Sequence, residues 1–86
     1  MSRAKRIEAI LNSELSPSIL ILKNESAKHV GHAGHDGSDE SHYHLTIISE
    51  SFAGMSKVAC QRMIYKLLNS EFENGLHALS IRAKAT

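Results

Sequence analysis

The chain has 86 residues, 42% of them hydrophobic and 22% charged, with ten basic and nine acidic side chains and a formal net charge of +1. These values describe one small folded domain spanning residues 1–86, not a disordered chain, and they supply no strong field to capture nucleic acid or an acidic membrane non-specifically. The single cysteine, Cys60, excludes an internal disulfide or a CxxC metal site; it fits a reducing compartment, and with no signal peptide or spanning run legible the expected location is cytoplasmic.

Residues 3–15 are predicted to form a helix. Ala4, Ile7, Ile10 and Leu11 repeat at three and four residues, Ser2 suits an N-cap, and Ser16-Pro17 ends the element. Arg3, Lys5 and Arg6 crowd the first turn, where the helix dipole does not favour them. They read as a solvated basic face, with a phosphate or partner contact as the weaker alternative. Ser18 to Asn24 is a short aliphatic and β-branched run and reads as a strand.

Residues 25–41, which hold Gly31, Gly34 and Gly37 among serines and aspartates, read as a loop unusually long for so small a domain. His42 to Ser49 alternates Tyr43, Leu45 and Ile47 with His42, His44 and Thr46, the pattern of a strand with one apolar face. A turn over "ESFAGMS" follows. A second long helix is predicted from Ser56 to about Asn74, burying Cys60, Ile64, Leu67, Leu68 and Phe72 and stopped by Asn74-Gly75. Residues 76–83 form the last strand, with His77, Leu79 and Ile81 on one face and Ala78, Ser80 and Arg82 on the other. The order helix–strand–strand–helix–strand predicts an α+β fold, its helices packed on one face of a three-stranded sheet.

Six histidines stand out, five of them between residues 29 and 44. Neutral imidazole is the commonest metal-binding side chain. His29, His32 and His35 are spaced by three, but glycines place them on a loop, so the spacing fixes no geometry. A solvated polar loop is the competing reading, and no rigid ligand set for a tetrahedral zinc site is apparent. His42 and His44 are expected on the polar face of their strand. His77 stands alone, either a satisfied histidine at the core edge or a ligand on a rigid element.

Catalysis finds little support. Cys60 lies on an apolar stripe and reads as a small buried hydrophobe. No nucleophile elbow, P-loop or dinucleotide fingerprint occurs. "GHAG" at Gly31 to Gly34 matches the GXXG of KH domains only formally, since it lies between strands. Asn24-Glu25-Ser26 matches a glycosylation acceptor, which has no meaning without secretion. The chain is not expected to be an enzyme; a stand-alone metal-binding or hydrolytic protein using the loop histidines is the least favoured class.

Taken together, "NESAKHVGHAGH", "ESHYHLTIISESFAGMSKVACQRMIYKLLNSEF" and "GLHALSI" resemble the BolA family. The resemblance runs over nearly the whole chain, most strongly from Asn24 to Ile81. Its markers are Asn24-Glu25-Ser26, His29, Ser41-His42-Tyr43, Ser49, Phe52, Gly54, Arg62 and His77 to Leu79.

The resemblance implies a class II KH-like α+β domain with an extra helical turn near "FAGMS". It also implies a monothiol glutaredoxin as partner and a [2Fe–2S] cluster shared with that partner and glutathione, with no cluster in the isolated chain. The chain lacks a loop cysteine and resembles the histidine-loop type. His77 is then the first ligand and His29 the second, with His32 and His35 as competitors. BolA proteins are also transcriptional regulators of morphology and stress responses. That reading offers Lys57, Arg62, Lys66, Arg82 and Lys84 as phosphate contacts to DNA. Here the family's Arg-His-Arg stretch is Cys60-Gln61-Arg62, a reduced version. The expected partners are therefore the glutaredoxin, with DNA as the alternative, and no membrane; monomer and weak homodimer both stay open.

Overall fold

The computed structural model describes residues 2–25 and 41–85. Helix α1 (Arg3–Leu15) begins where Ser2 Oγ accepts from the Lys5 backbone N–H at 3.2 Å. It ends at Ser16, whose backbone turns left-handed (φ 43°) just before the proline. Strand β1 (Ile19–Asn24) pairs antiparallel with β2 (His42–Ile48), in register from Ile19 opposite Ile48 to Asn24 opposite Tyr43. A single turn of 3-10 helix (Glu50–Phe52) follows β2, then α2 (Lys57–Leu67), α3 (Asn69–Glu73) and β3 (Ala78–Lys84). Strand β3 pairs parallel with β2, from Ala78 opposite His42 to Lys84 opposite Ile48, so the sheet order is β1-β2-β3.

The strand alternation is as expected. Tyr43, Leu45 and Ile47 are buried, and they share one core with Ile7, Leu11 and Leu15 of α1, Phe52, Cys60 and Ile64 of α2, Leu68, Leu76 and Leu79. Leu20, Leu22, Ile81 and Ala83 border it from the outer strands. The opposite face of the sheet carries no helix among the described residues; Ile19 and Ile21 are exposed there, beside His44, Thr46 and Arg82 in register. This is the α+β architecture predicted from the sequence.

Three expectations are corrected. The second long helix is two helices broken at Leu68 (φ −100°, ψ 14°), where the weak helix formers Asn69 and Ser70 follow. The last strand starts at Ala78, not residue 76, and His77 precedes it as an exposed residue off the core-facing row of Leu79 and Ile81. The first-turn cations of α1 form a solvated face only at Lys5, and the two arginines are engaged. Arg3 Nη1 and Arg6 Nε reach the buried Glu71 carboxylate of α3 at 2.9 and 2.8 Å, and Arg3 also donates to the Glu71 and Asn74 carbonyls. An acidic partner supplied by tertiary packing offsets the unfavourable dipole position of the two arginines.

The markers of the family resemblance hold joints of the fold. Ser49 is buried; its hydroxyl donates to the Leu15 carbonyl (2.6 Å) and accepts from the Ser51 N–H, and its own N–H donates to the Lys84 carbonyl. Phe52 is in the core, and Gly54 sits at φ 77°, a left-handed conformation that glycine adopts without strain.

Candidate functional site

One end of the sheet brings together two of the three histidines that the structure describes, His42 and His77. The helical crossover from β2 to β3 makes the two strands parallel, so both begin at this end. The Ser41 carbonyl accepts from the backbone N–H groups of both His77 (2.8 Å) and Ala78 (3.0 Å), anchoring the start of β3 against the start of β2. His77 is thereby fixed in backbone position while its side chain remains exposed. The His42 ring lies beside it, with ring centroids 6.2 Å apart and planes tilted by 49°. The Ser41 hydroxyl and His42 Nδ1 share a 2.7 Å hydrogen bond, which orients the imidazole.

Glu25 and Ser41, the described residues on either side of 26–40, both lie at this end. The Glu25 N–H donates to the His42 carbonyl at 2.7 Å, and Ser41 leads into β2. His29, His32 and His35 lie outside the described residues. His44 sits further along the open face, opposite Lys23 and Ser80, away from the pair. No group of three or more metal-ligating side chains occurs among the described residues. Among the described residues, His42 and His77 are the two imidazoles that this end of the sheet places side by side.

Cys60 is buried in the core and is no candidate ligand, as its stripe position predicted. The pairing of His42 with His77 was missed in the sequence. The signal for it is the helix between β2 and β3, since a helical crossover makes the strands parallel and brings their first residues together.

The candidate phosphate contacts divide. Lys57 of α2 and Arg82 and Lys84 of β3 line one groove of about 530 Å³ with Gln61, Ile81 and Ala83. Arg62 and Lys66 are exposed on α2 but do not line that groove.

A family model described as BolA-like protein matches residues 11–86. The chain belongs to the BolA family. Its sequence is 44% identical over 85 residues to Protein BOLA1, chloroplastic, of Arabidopsis thaliana, covering 96% of this chain and 53% of that protein. The solved structure of BolA1 from Arabidopsis thaliana superposes with a TM-score of 0.89 at 41% identity, covering 99% of this chain and 93% of that one. SufE-like protein 1, chloroplastic/mitochondrial, of the same plant is 47% identical over 87 residues, 96% of this chain but 24% of that protein. A bacterial BolA relative from Vibrio cholerae, named a DNA-binding transcriptional regulator, is 39% identical over 80 residues, 93% of this chain and 72% of its own length. The chain thus spans about half of BOLA1 and about a quarter of SufE-like protein 1. Two of these BolA relatives carry organellar names, and no helix among the described residues of this chain is long and apolar enough to cross a membrane.

Proposed function

We propose that this BolA-family chain is an iron–sulfur adaptor that binds a monothiol glutaredoxin and contributes histidine ligands to a shared [2Fe–2S] cluster, for cluster trafficking or iron sensing. The observation that carries the proposal is the exposed His77, anchored through its backbone to Ser41 at the sheet end where both roots of the His29–His35 segment lie. The donor set fits such a group. Imidazoles are available on a rigid edge, while the chain's one thiol is buried, so thiolates come from glutaredoxin and glutathione. His77 is the first ligand and His29 the second, with His32 and His35 as competitors and His42 as the neighbour that packs against His77. Imidazole ligation raises the reduction potential of such a cluster relative to all-thiolate ligation. No side chain is assigned a catalytic role, the isolated chain carries no cluster, and the reducing cytoplasm is the setting taken for the complex.

The test is reconstitution with a monothiol glutaredoxin, glutathione, iron and sulfide, followed by visible absorption and circular dichroism. Wild type should give a heterodimer cluster spectrum distinct from that of the glutaredoxin alone. An identical spectrum from His77→Ala overturns the ligand assignment.

A second reading, a DNA-binding transcriptional regulator, is favoured by the name of the Vibrio cholerae relative and by the cations Lys57, Arg62, Lys66, Arg82 and Lys84. It requires sequence-specific affinity for promoter DNA that survives physiological salt and falls in Arg62→Ala or Lys66→Ala. Binding lost with salt for every sequence counts against it.

A further inference from the structure

The outer edge of β3 is unpaired among the described residues, since β2 is its only strand neighbour. The direction of its backbone groups follows from the hydrogen bonds. The Ala78 N–H donates to the Ser41 carbonyl and the Lys84 carbonyl accepts from the Ser49 N–H, so the even-numbered residues of β3 face β2. In a strand the N–H and C=O of one residue point the same way and alternate with those of the next. Leu79, Ile81 and Ala83 therefore turn theirs outward. The Leu79 carbonyl is taken by the Tyr65 hydroxyl at 3.1 Å. Beyond that cap the edge runs open through Ile81 and Ala83, along the groove that α2 borders with Lys57 and Gln61.

We propose that this edge is a docking site for an extended acidic peptide segment of another protein, which adds to the sheet as a fourth strand. Two residues offering outward N–H and C=O groups supply the ladder, and Lys57, Arg82 and Lys84 supply the sign preference. Among the described residues, no acidic side chain lines the groove. A second copy of this chain fits poorly, because edge-to-edge pairing of two β3 strands about Ala83 would set Arg82 of each copy against Lys84 of the other. Duplex DNA would use the cations but has no strand to pair with Ile81 and Ala83. The docking site is separate from His77, because Ala83 and Lys84 lie at the far end of β3.

The full 86-residue chain is titrated with the peptide acetyl-Glu-Val-Glu-Val-Glu-Val-amide, a form of it N-methylated on alternate residues, a Lys-for-Glu version, and a duplex oligonucleotide. Backbone amide shifts and hydrogen exchange are followed by NMR. The Glu peptide should move the amides of Ile81 and Ala83 and slow their exchange by about tenfold or more at saturation. The N-methylated and Lys peptides should not protect them, and Arg82→Glu/Lys84→Glu should weaken binding by about tenfold or more. Equal binding of the N-methylated peptide, protection elsewhere in the chain, or protection of these two amides by the oligonucleotide alone overturns the proposal.

Discussion

The backbone N–H of His77 donates to the carbonyl of Ser41 at 2.8 Å, so the residue that precedes one strand is held by the residue that precedes another. The anchor is a main-chain bond and survives substitution of the His77 side chain by any residue other than proline. His77→Ala should therefore keep the wild-type fold by circular dichroism and thermal midpoint while losing the cluster spectrum of the glutaredoxin complex. A His77→Ala protein that is also unfolded would show that the ring holds the fold, not a ligand.

The His42 ring lies near that ring at a tilt and is oriented by the Ser41 hydroxyl. If it supports His77 rather than ligating iron, His42→Ala should retain the spectral shape of the complex but release the cluster faster, by about tenfold, as for other residues that orient a ligand. His29→Ala should instead change the spectrum itself. Stopped-flow chelation of the reconstituted complexes separates the two effects, and a changed spectrum in His42→Ala would make it a ligand.

Glu71 is nearly fully buried, and its carboxyl is held below the usual carboxylate range by its hydrogen bond to Arg6, against the opposing effect of burial and with further help from the charges of both arginines. A lowered folded-state value means stability that is fully present above the ordinary carboxylate range and is lost as pH falls through the folded value. Glu71→Gln should cost about 3 kcal/mol near neutrality, the lower part of the range for breaking a buried pair because Arg6 remains partly solvated. It should also flatten the acid limb of the stability curve. Urea midpoints measured between neutral and acid pH check both; a limb as steep as wild type would assign acid sensitivity to other carboxylates.

Gly75 has φ 114°, and a Cβ placed on it would lie 3.1 Å from Arg3 Nη2. Gly75→Ala should destabilise by about 1–2 kcal/mol through strain and displacement of that guanidinium. In an Arg3→Ala background the contact disappears and only the backbone strain remains, so the penalty should shrink. A double-mutant cycle by chemical denaturation measures the difference.

Ser49→Ala removes the donor that satisfies the Leu15 carbonyl and the acceptor for the Ser51 N–H in a buried position. A loss of about 1–3 kcal/mol is expected. Ser49→Thr keeps both functions, and its partial recovery in the thermal midpoint would separate hydrogen bonding from packing.

Where periodicity is local, the fold was legible. The Ile7–Leu11 stripe, the Tyr43–Leu45–Ile47 alternation and the caps Ser2 and Asn74-Gly75 act within a few residues, and each was placed correctly. What was missed depends on distant residues. Nothing near Arg3 and Arg6 announces Glu71, and the break at Leu68 turns α3 so that its carboxylate meets them. The candidate site divides the same way: the resemblance marked His77, while its neighbour His42 came into view only through the parallel pairing of β2 with β3. His29, His32 and His35 lie outside the described residues, so the choice among them rests on the reconstitution experiments.

Parallel pairing has a thermodynamic corollary. His42 and His77 are distant in sequence and adjacent only once β2, the helical crossover and β3 have assembled. A chain still emerging from synthesis, or one with β3 locally detached, cannot offer the two rings together. Any ligand that bridges them binds the native state alone and stabilises it by mass action. Loading the site would then raise the unfolding midpoint with the logarithm of ligand concentration, and folding competence would be checked before cargo is accepted.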